Sequence, residues 1–228
     1  MRQMALDIGL AIEPSLRNFI PGPNLEALRH LQVWASAASG VAARSPVPTY
    51  LWGPEGSGKS HLLLGVAQAL KEQGYTVGYL SSQDQEPPPF DERWSAVLMD
   101  DVHLYTAVQQ HAAFAWFVQA QSQQAGVVAA GELPPADLKL REDLRTRLGW
   151  GHIWALQVMG DDERRSVLVS AAQDRGLSLS PEVVDFILTR FSRDLGHLMQ
   201  LLHHLDAYAL QVQRTITIPL IKDMLQDS

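Results

Sequence analysis

The stretch that decides the fold is Gly53-Pro54-Glu55-Gly56-Ser57-Gly58-Lys59-Ser60, which fits the phosphate-binding pattern G-x-x-x-x-G-K-[ST]. The apolar run 49–52 before it predicts a short buried strand, and the helical spacing of leucines in 61–70 predicts a helix after it. A loop in that position holds a phosphate chain through its backbone N–H groups and the positive end of the helix. The stretch therefore predicts a nucleotide-binding protein.

The side chains of this loop predict how phosphates and a magnesium ion are held. Lys59 supplies an ammonium for the phosphate charge, and Gly56 and Gly58 permit close backbone approach. Ser60 places a hydroxyl where Mg²⁺ bridging two phosphates needs an oxygen ligand. We assign nucleotide contacts to the loop and the start of its helix: Pro54, Glu55, Gly56, Ser57, Gly58, Lys59, Ser60 and His61.

Composition narrows the class of protein. The chain has 228 residues, enough for one α/β domain and a small accessory domain, and its lack of cysteine excludes disulfides and cysteine nucleophiles. A net charge of -7 disfavours strong DNA binding by the chain itself, because that affinity comes from Lys and Arg at phosphates. No apolar run approaches the about 18 residues of a membrane span, and Asp7 interrupts any signal-peptide core. We expect a cytoplasmic protein that reaches DNA only indirectly.

A second functional pair follows the apolar run Ala96-Val97-Leu98-Met99. Asp100 and Asp101 end this predicted strand in a Walker B pattern. Parallel strands bring their carboxyl ends to one sheet edge, so we expect Asp100 to hold Mg²⁺, directly or through water, and Asp101 to orient the attacking water. Asp101 is shorter than the glutamate usual in many P-loop ATPases. The pair therefore predicts binding more firmly than turnover by this chain alone.

The rest of the chain predicts two lobes. Strands are expected at 49–52, 76–80, 96–99, 126–130 and 152–156, all parallel. Helices are expected at about 25–39, 61–73, 107–124 and 137–146, and then, without further strands, at about 161–175, 181–190 and 193–213 and after Pro219. We therefore place an α/β nucleotide-binding domain at 21–158 and a helical lid domain at 159–228.

Three details complete this prediction. Asn24 is expected to be the N-cap of the first helix. The third helix carries Phe114, Trp116, Phe117 and Val118, and its aromatic side chains are expected to belong to the core. Glu132 follows the fourth strand where a γ-phosphate sensor would stand, but it receives no role.

Residues 1–20 precede the first glycine-proline turn and predict an appended peptide. Gln3, Met4, Leu6 and Ile8 space one polar and three apolar side chains along a short segment, as in a peptide that docks into a partner's groove. The same residues also fit an N-terminal strand or a frayed tail.

Taken together, these features resemble an AAA+ module: a five-stranded parallel sheet with flanking helices, then a small helical lid. Stretches similar to the AAA+ core of the initiator DnaA are Asn18-Phe19-Ile20-Pro21-Gly22, Gly58-Lys59-Ser60-His61-Leu62, Leu98-Met99-Asp100-Asp101-Val102 and Ser192-Arg193-Asp194-Leu195. Stretches that resemble Hda, the family of DnaA regulatory inactivators, are 145–153, 215–222 and, as a clamp-binding peptide, 3–8. The helix-turn-helix domain that follows the lid in DnaA is expected to be lacking, in agreement with the acidic charge.

The resemblance to Hda implies a function and further site residues. It implies a protein that holds ADP or ATP with Mg²⁺, is tethered to the DNA-loaded sliding clamp (the polymerase beta subunit), and promotes ATP hydrolysis by DnaA. Phe19 and Ile20 match the adenine wall, Arg193 matches the lid arginine called sensor 2, and Arg147 matches the family's arginine finger. Met4 replaces the usual leucine of the clamp motif and conserves its volume. Whether the protein forms a homo-oligomer stays open.

Alternatives remain at this point. A helicase loader is also a short AAA+ protein, and a P-loop small-molecule kinase would also carry the phosphate loop. Arg147 is expected on the subunit face away from its own phosphate loop, where it reaches a neighbour's nucleotide. A surface salt bridge of Arg147 with Glu142 or Asp143 is the other interpretation, and Arg145 is the nearest competitor for the finger role.

Overall fold

A computed structural model of the chain describes residues 13–36, 47–191 and 195–226. Within these residues five strands form one sheet: β1 Thr49–Trp52, β2 Thr76–Leu80, β3 Trp94–Met99, β4 Gly126–Gly131 and β5 His152–Ala155. The α-helices described are α1 Leu25–Ser36, α2 Lys59–Glu72, α3 Ala107–Ser122, α4 Glu142–Leu148, α5 Asp161–Gln173, α6 Pro181–Arg190, α7 Leu195–Val212 and α8 Ile218–Gln226. Contacts divide the chain into an α/β unit, Pro14–Val158, and a helical unit that starts at Met159.

The sheet places the predicted functional segments at one edge. Its strand order is β2-β3-β4-β1-β5, and every neighbouring pair is parallel. Because the carboxyl ends of parallel strands meet, the loop after β1, the Asp100-Asp101 pair after β3 and Glu132 after β4 lie at the same edge. The prediction of a five-stranded parallel sheet with flanking helices is confirmed.

Helices cover both faces of the sheet, so alternate residues of each strand enter different cores. Leu51 packs with leucines of α1 and α2, whereas its neighbour Tyr50 packs with side chains of α3 and α4. The first core includes Leu31, Leu62, Leu63, Val66, Leu98 and Val128. The second includes Val97, Met99, Trp116, Phe117, Ala129, Leu144 and Leu148. Burial on both faces explains why β3 and β4 are continuous apolar runs.

Two sequence predictions in this unit were wrong in detail. The helix expected at 137–146 is α4, Glu142–Leu148, and only a short 3₁₀ turn stands at Pro135–Asp137. The chain between them is extended at Leu138, and both Leu138 and Leu140 are buried beside α3. Side chains two residues apart reach one core from an extended segment, not from a helix.

Of the aromatic side chains predicted to be core on α3, Trp116 and Phe117 are buried, whereas Phe114 is only half-buried. The buried face of α3 contains Ala113, Trp116, Phe117 and Ala120. The Phe114 ring lies against the guanidinium groups of Arg141 and Arg147.

The helical unit contains α5 to α8 around a core of its own. This core includes Leu168, Val184, Ile187, Leu201, Leu205, Leu220 and Ile221. α6 begins as predicted at Pro181, after Ser180 whose hydroxyl accepts a hydrogen bond from Val183 N–H (3.4 Å). Of the helices in the described ranges, none combines the length and apolar character needed to cross a membrane.

Candidate nucleotide-binding site

The phosphate loop has the backbone that an anion site requires. Gly56 and Gly58 have φ values of +76° and +90°, which glycine adopts without steric cost. The first hydrogen bond of α2 runs from Leu62 N–H to Gly58 O (3.0 Å), so the N–H groups of residues 59–61 have no acceptor within the helix. These groups suit a phosphate at the loop.

Lys59 is folded back on its own loop. Its Nζ donates to Gly53 O (2.8 Å) and Pro54 O (2.9 Å), and the residue is only 7% exposed. An ammonium has three donors, so one remains for a phosphate oxygen. Burial lowers the pKa of Lys59.

Four carboxylates at the same sheet edge act on the pKa of Lys59 in the opposite direction to burial. The groups that raise the pKa of Lys59 against burial are Asp101, Asp100, Glu132 and Glu55. The structure therefore brings the phosphate loop, the Walker B pair and the end of β4 to one place.

The Walker B aspartates are held differently from one another. Asp100 is buried, and its carboxylate accepts hydrogen bonds from Tyr79 OH (2.9 Å) and from Asp101 N–H (2.9 Å). Asp101 has a left-handed backbone (φ +51°) and a half-buried side chain. Burial and the neighbouring Asp100 raise the pKa of Asp101, while His103 and Lys59 lower it. Asp100 is thus held in a fixed orientation by two donors, whereas the charged form of Asp101 is partly disfavoured.

Glu132, to which the sequence assigns no role, contacts His103 through both its backbone and its side chain. Glu132 N–H donates to His103 Nδ1 (3.3 Å), and the Glu132 carboxylate lies 3.5 Å from His103 Nε2. Sequence reasoning missed both Tyr79 and His103, because neither belongs to a motif and each reaches the site only through the sheet.

The segment before α1 lies on the start of α2. A Cβ on Gly58 would come within 2.6 Å of the Phe19 ring, so this ring lies directly on the loop. His61 Nε2 is 2.9 Å from Asn18 Oδ1 and 3.2 Å from Ser15 O, and its ring contacts Phe19 edge to face (5.4 Å between centroids). Phe19 and His61 are therefore brought together at the loop. The adjacent Ile20 is half-buried.

Asn24 does not have the role predicted for it. A 3₁₀ turn, Gly22–Asn24, precedes α1, and the Asn24 amide bonds the backbone of Ser57 and Gln157. An amide that bonds both partners ties the loop to the chain after β5. No local pattern predicts such a contact, because Gln157 is 133 residues away.

Arg147 lies in the last turn of α4. Its guanidinium stacks 5.3 Å from the ring centroid of Phe114 and 5.7 Å from that of Phe117, both on α3. The alternative partner Asp143 is bound to Arg141 instead (2.7 Å), and in the described part of the chain no ion pair involves Arg147. The surface salt bridge proposed as the alternative is absent there, and the finger role stays a prediction.

Some predicted site residues lie outside the described ranges: Gln3, Met4, Leu6, Ile8 and Arg193. No group of three or more His, Cys, Asp or Glu residues that could hold a metal occurs in the described ranges. A magnesium site here would thus need oxygen ligands from a nucleotide in addition to Ser60 and Asp100. The residues present fit a nucleotide with Mg²⁺. Ser60 is exposed beside the loop, and Ser57 Oγ is buried without a hydrogen-bond partner among the described residues.

Comparison with known proteins covers both units. Residues 161–225 match the family model "Hda, lid domain". The chain is similar to domain III of the replication initiation protein DnaA from Thermotoga maritima, with a TM-score of 0.66 and 19% identity over 93% of this chain and 95% of that one.

Two further solved structures show the same fold. AMPPCP-bound DnaA from Aquifex aeolicus has a TM-score of 0.64 and 20% identity over 83% of this chain and 64% of that one. The Thermotoga maritima RuvB Holliday junction branch migration motor has a TM-score of 0.57 and 17% identity over 93% and 71%. The fold is therefore a DnaA-like AAA+ module followed by a helical lid.

Proposed function

We propose that this chain, which carries the lid domain of the Hda family on a DnaA-like AAA+ fold, is a nucleotide-bound regulator that promotes ATP hydrolysis by DnaA. The observation that carries the proposal is the lid match at 161–225, on a chain whose phosphate loop and Walker B pair share one sheet edge. Such a regulator keeps initiation of chromosome replication from being repeated.

The nucleotide is ADP or ATP with Mg²⁺. Lys59 and the N–H groups at the start of α2 bind the phosphates, and Ser60 and Asp100 supply the protein oxygens for the cation. When bound, Mg²⁺ would supply positive charge that offsets the negative charge of the phosphates. By the resemblance to Hda, Phe19 and Ile20 are assigned to the base and Arg193 to the phosphates.

Turnover by the chain alone is weak in this proposal. Asp101 is the residue that would orient an attacking water, but its side chain is one methylene shorter than the glutamate usual at this position in many P-loop ATPases. The carboxylate is therefore poorly suited to this task, and the bound nucleotide serves to hold the protein in its active form.

Arg147 acts on the nucleotide of DnaA. It packs with α3 and α4, on the sheet face opposite α1 and α2, and no carboxylate in the described ranges neutralises it. An arginine supplied in trans stabilises the charge of the transferred phosphoryl group and is worth on the order of 10³ to 10⁵ in rate. Contacts with rings alone leave its N–H donors available for such a phosphoryl group.

The sliding clamp brings the two proteins together on DNA. Gln3 bonds at the edge of the clamp groove, and Met4, Leu6 and Ile8 fill its pocket. Each apolar side chain contributes about 1.5–3 kcal/mol before ordering costs, so micromolar affinity is within reach of one short peptide. Tethering then raises the local concentration of the regulator beside DnaA without any DNA contact of its own.

The test is a hydrolysis assay with purified components. ATP-bound DnaA is incubated with clamp-loaded DNA, and the ADP formed on DnaA is measured with and without this protein. We expect strong stimulation that requires the clamp, the DNA and the protein together. Hydrolysis no faster than with clamp-loaded DNA alone would contradict the proposal.

A further inference from the structure

We infer that Asn24 is a positioning residue, which holds the phosphate loop against the chain that leaves β5 and thereby sets the affinity for the nucleotide. The inference rests on the proposed nucleotide site and adds to it a residue that belongs to none of its motifs.

The Asn24 side chain uses both ends of its amide on backbone groups. Nδ2 donates to Gln157 O (2.9 Å) and to Ser57 O (3.4 Å), and Oδ1 accepts from Gln157 N–H (2.8 Å). Asn24 is 7% exposed, so water does not compete freely for these bonds. One side chain therefore links the middle of the phosphate loop to the exit of β5.

The start of the loop touches the same chain segment. A Cβ on Gly53 would come within 2.3 Å of Leu156 O, so the two backbones are in close contact. Leu156 N–H in turn donates to Trp52 O (2.6 Å), which fixes this segment to β1. The loop is thus held against the exit of β5 at its start, by direct packing, and near its middle, through Asn24.

Besides the Asn24 bond, the structure gives one hydrogen bond to Ser57 itself in the described part of the chain. Ser57 N–H donates to Pro54 O (3.3 Å) within the loop, and Ser57 Oγ has no hydrogen-bond partner among the described residues although it is buried. Loss of the Asn24 amide would leave a buried carbonyl of Ser57 and two backbone groups of Gln157 without this partner. We therefore expect the loop to shift rather than to stay in place.

Asparagine suits this position because it offers a donor and an acceptor on one short side chain. Aspartate has the same shape and keeps the bond from Gln157 N–H, but it turns a carboxylate oxygen toward two carbonyl oxygens. Binding groups work only when they are held within about 0.5 Å of their productive positions. A displaced loop should consequently bind phosphate more weakly in a protein that remains folded.

Gln109 provides a matched control. It is a buried amide (1% exposed) whose Nε2 donates to Ser81 O (3.2 Å), Ser82 O (2.9 Å) and Asp84 O (3.0 Å). Like Asn24, it binds backbone groups with its side-chain amide, but these groups follow β2, which is an outermost strand of the sheet and is separated from β1 by β3 and β4. Its removal should lower stability without disturbing the phosphate loop.

The experiment compares Asn24→Ala, Asn24→Asp and Gln109→Ala by urea unfolding without ligand and by calorimetric titration with ADP and Mg²⁺. We expect both alanine variants to unfold at lower urea, and only the Asn24 variants to lose ADP affinity, by at least tenfold. Asn24→Asp keeps one of the hydrogen bonds and tests the inference if Asn24→Ala does not fold.

Three results separate the possible failures. Wild-type affinity in a folded Asn24 variant would overturn the positioning role, and an equal loss of affinity in Gln109→Ala would assign the effect to general destabilisation. A wild-type protein that binds no ADP would refute the nucleotide site itself. At saturating ADP, stimulation of DnaA should return to the wild-type rate in Asn24→Asp, because the substitution leaves Arg147 untouched.

Discussion

The hydroxyl of Tyr79 offers a sharp test of how the Walker B site is built. It donates to the Asp100 carboxylate (2.9 Å), and Asp100 is only 4% exposed, so Tyr79→Phe removes a hydrogen bond from a buried acid. A hydrogen bond to a charged group is worth about 1.5–3 kcal/mol, and Asp101 N–H remains as the other donor. We expect the free energy of unfolding to fall by about 1.5–3 kcal/mol.

Tyr105→Phe is the matched control. The Tyr105 hydroxyl is also buried and donates to Leu80 O (2.8 Å), a neutral acceptor that also receives Asp100 N–H (2.8 Å). Its removal should cost only about 0.5–1.5 kcal/mol, because Leu80 O keeps a partner.

The assay measures urea unfolding of both variants and ADP affinity as a function of Mg²⁺ concentration. Tyr79→Phe should weaken the Mg²⁺ dependence of ADP binding, since Asp100 is less well oriented, and Tyr105→Phe should not. Equal losses of stability in the two variants, together with unchanged Mg²⁺ dependence in Tyr79→Phe, would refute the reasoning.

Three further predictions concern the loop, the N-terminal peptide and a histidine pair. Lys59→Ala should weaken ADP binding strongly by removing the ammonium proposed to bind the phosphates, and calorimetry showing wild-type affinity would contradict this. Changing Gln3 and Leu6 to alanine should abolish retention on the sliding clamp but leave ADP binding intact; unchanged retention would refute the peptide assignment. The pKa of His30 is lowered from 6.5 by burial and by His152, so its neutral form is favoured in the folded protein and the stability it contributes is present above pH 6.5 and lost as pH falls through the lowered pKa. His152→Ala should reduce this acid sensitivity in urea midpoints measured between pH 7.5 and 5, and an unchanged pH profile would argue against the pair.

The parts of this protein that could be predicted from sequence are those fixed by local chemistry. The phosphate loop needs its glycines and lysine next to one another, and a buried parallel strand must be an apolar run, as Ala96-Val97-Leu98-Met99 is. These two patterns sufficed for the edge at which the loop and the Asp100-Asp101 pair meet, and the alternation of strand and helix segments along the chain sufficed for the rest of the sheet.

The parts that could not be predicted depend on contacts between distant segments. Asparagine is a common N-cap residue, but the Asn24 amide bonds the backbone of Gln157 instead. Nothing near either residue in the sequence indicates this contact. In the sequence, Tyr79 has only the features of an ordinary strand residue. The pairing of β2 with β3 in the structure places it beside Asp100. The start of α4 was misplaced for a similar reason, because burial beside α3 keeps Leu138 extended.

A test of the finger role of Arg147 requires that the protein still folds when this side chain is removed. Its visible contacts are with the rings of Phe114 and Phe117, its side chain is half-buried, and a cation–π contact there is worth roughly 0.5–2 kcal/mol. Arg147→Ala should therefore leave folding, ADP affinity and clamp retention nearly unchanged. Arg145→Ala, on the same helix, is the matched control.

The most direct measurement is the rate of ATP hydrolysis by DnaA on clamp-loaded DNA with wild-type protein, Arg147→Ala or Arg145→Ala. We expect Arg147→Ala to lose stimulation by on the order of 10³ or to the unstimulated rate, and Arg145→Ala to stimulate as wild type does. Stimulation by Arg147→Ala equal to that of wild type would show that the trans-acting arginine is not Arg147.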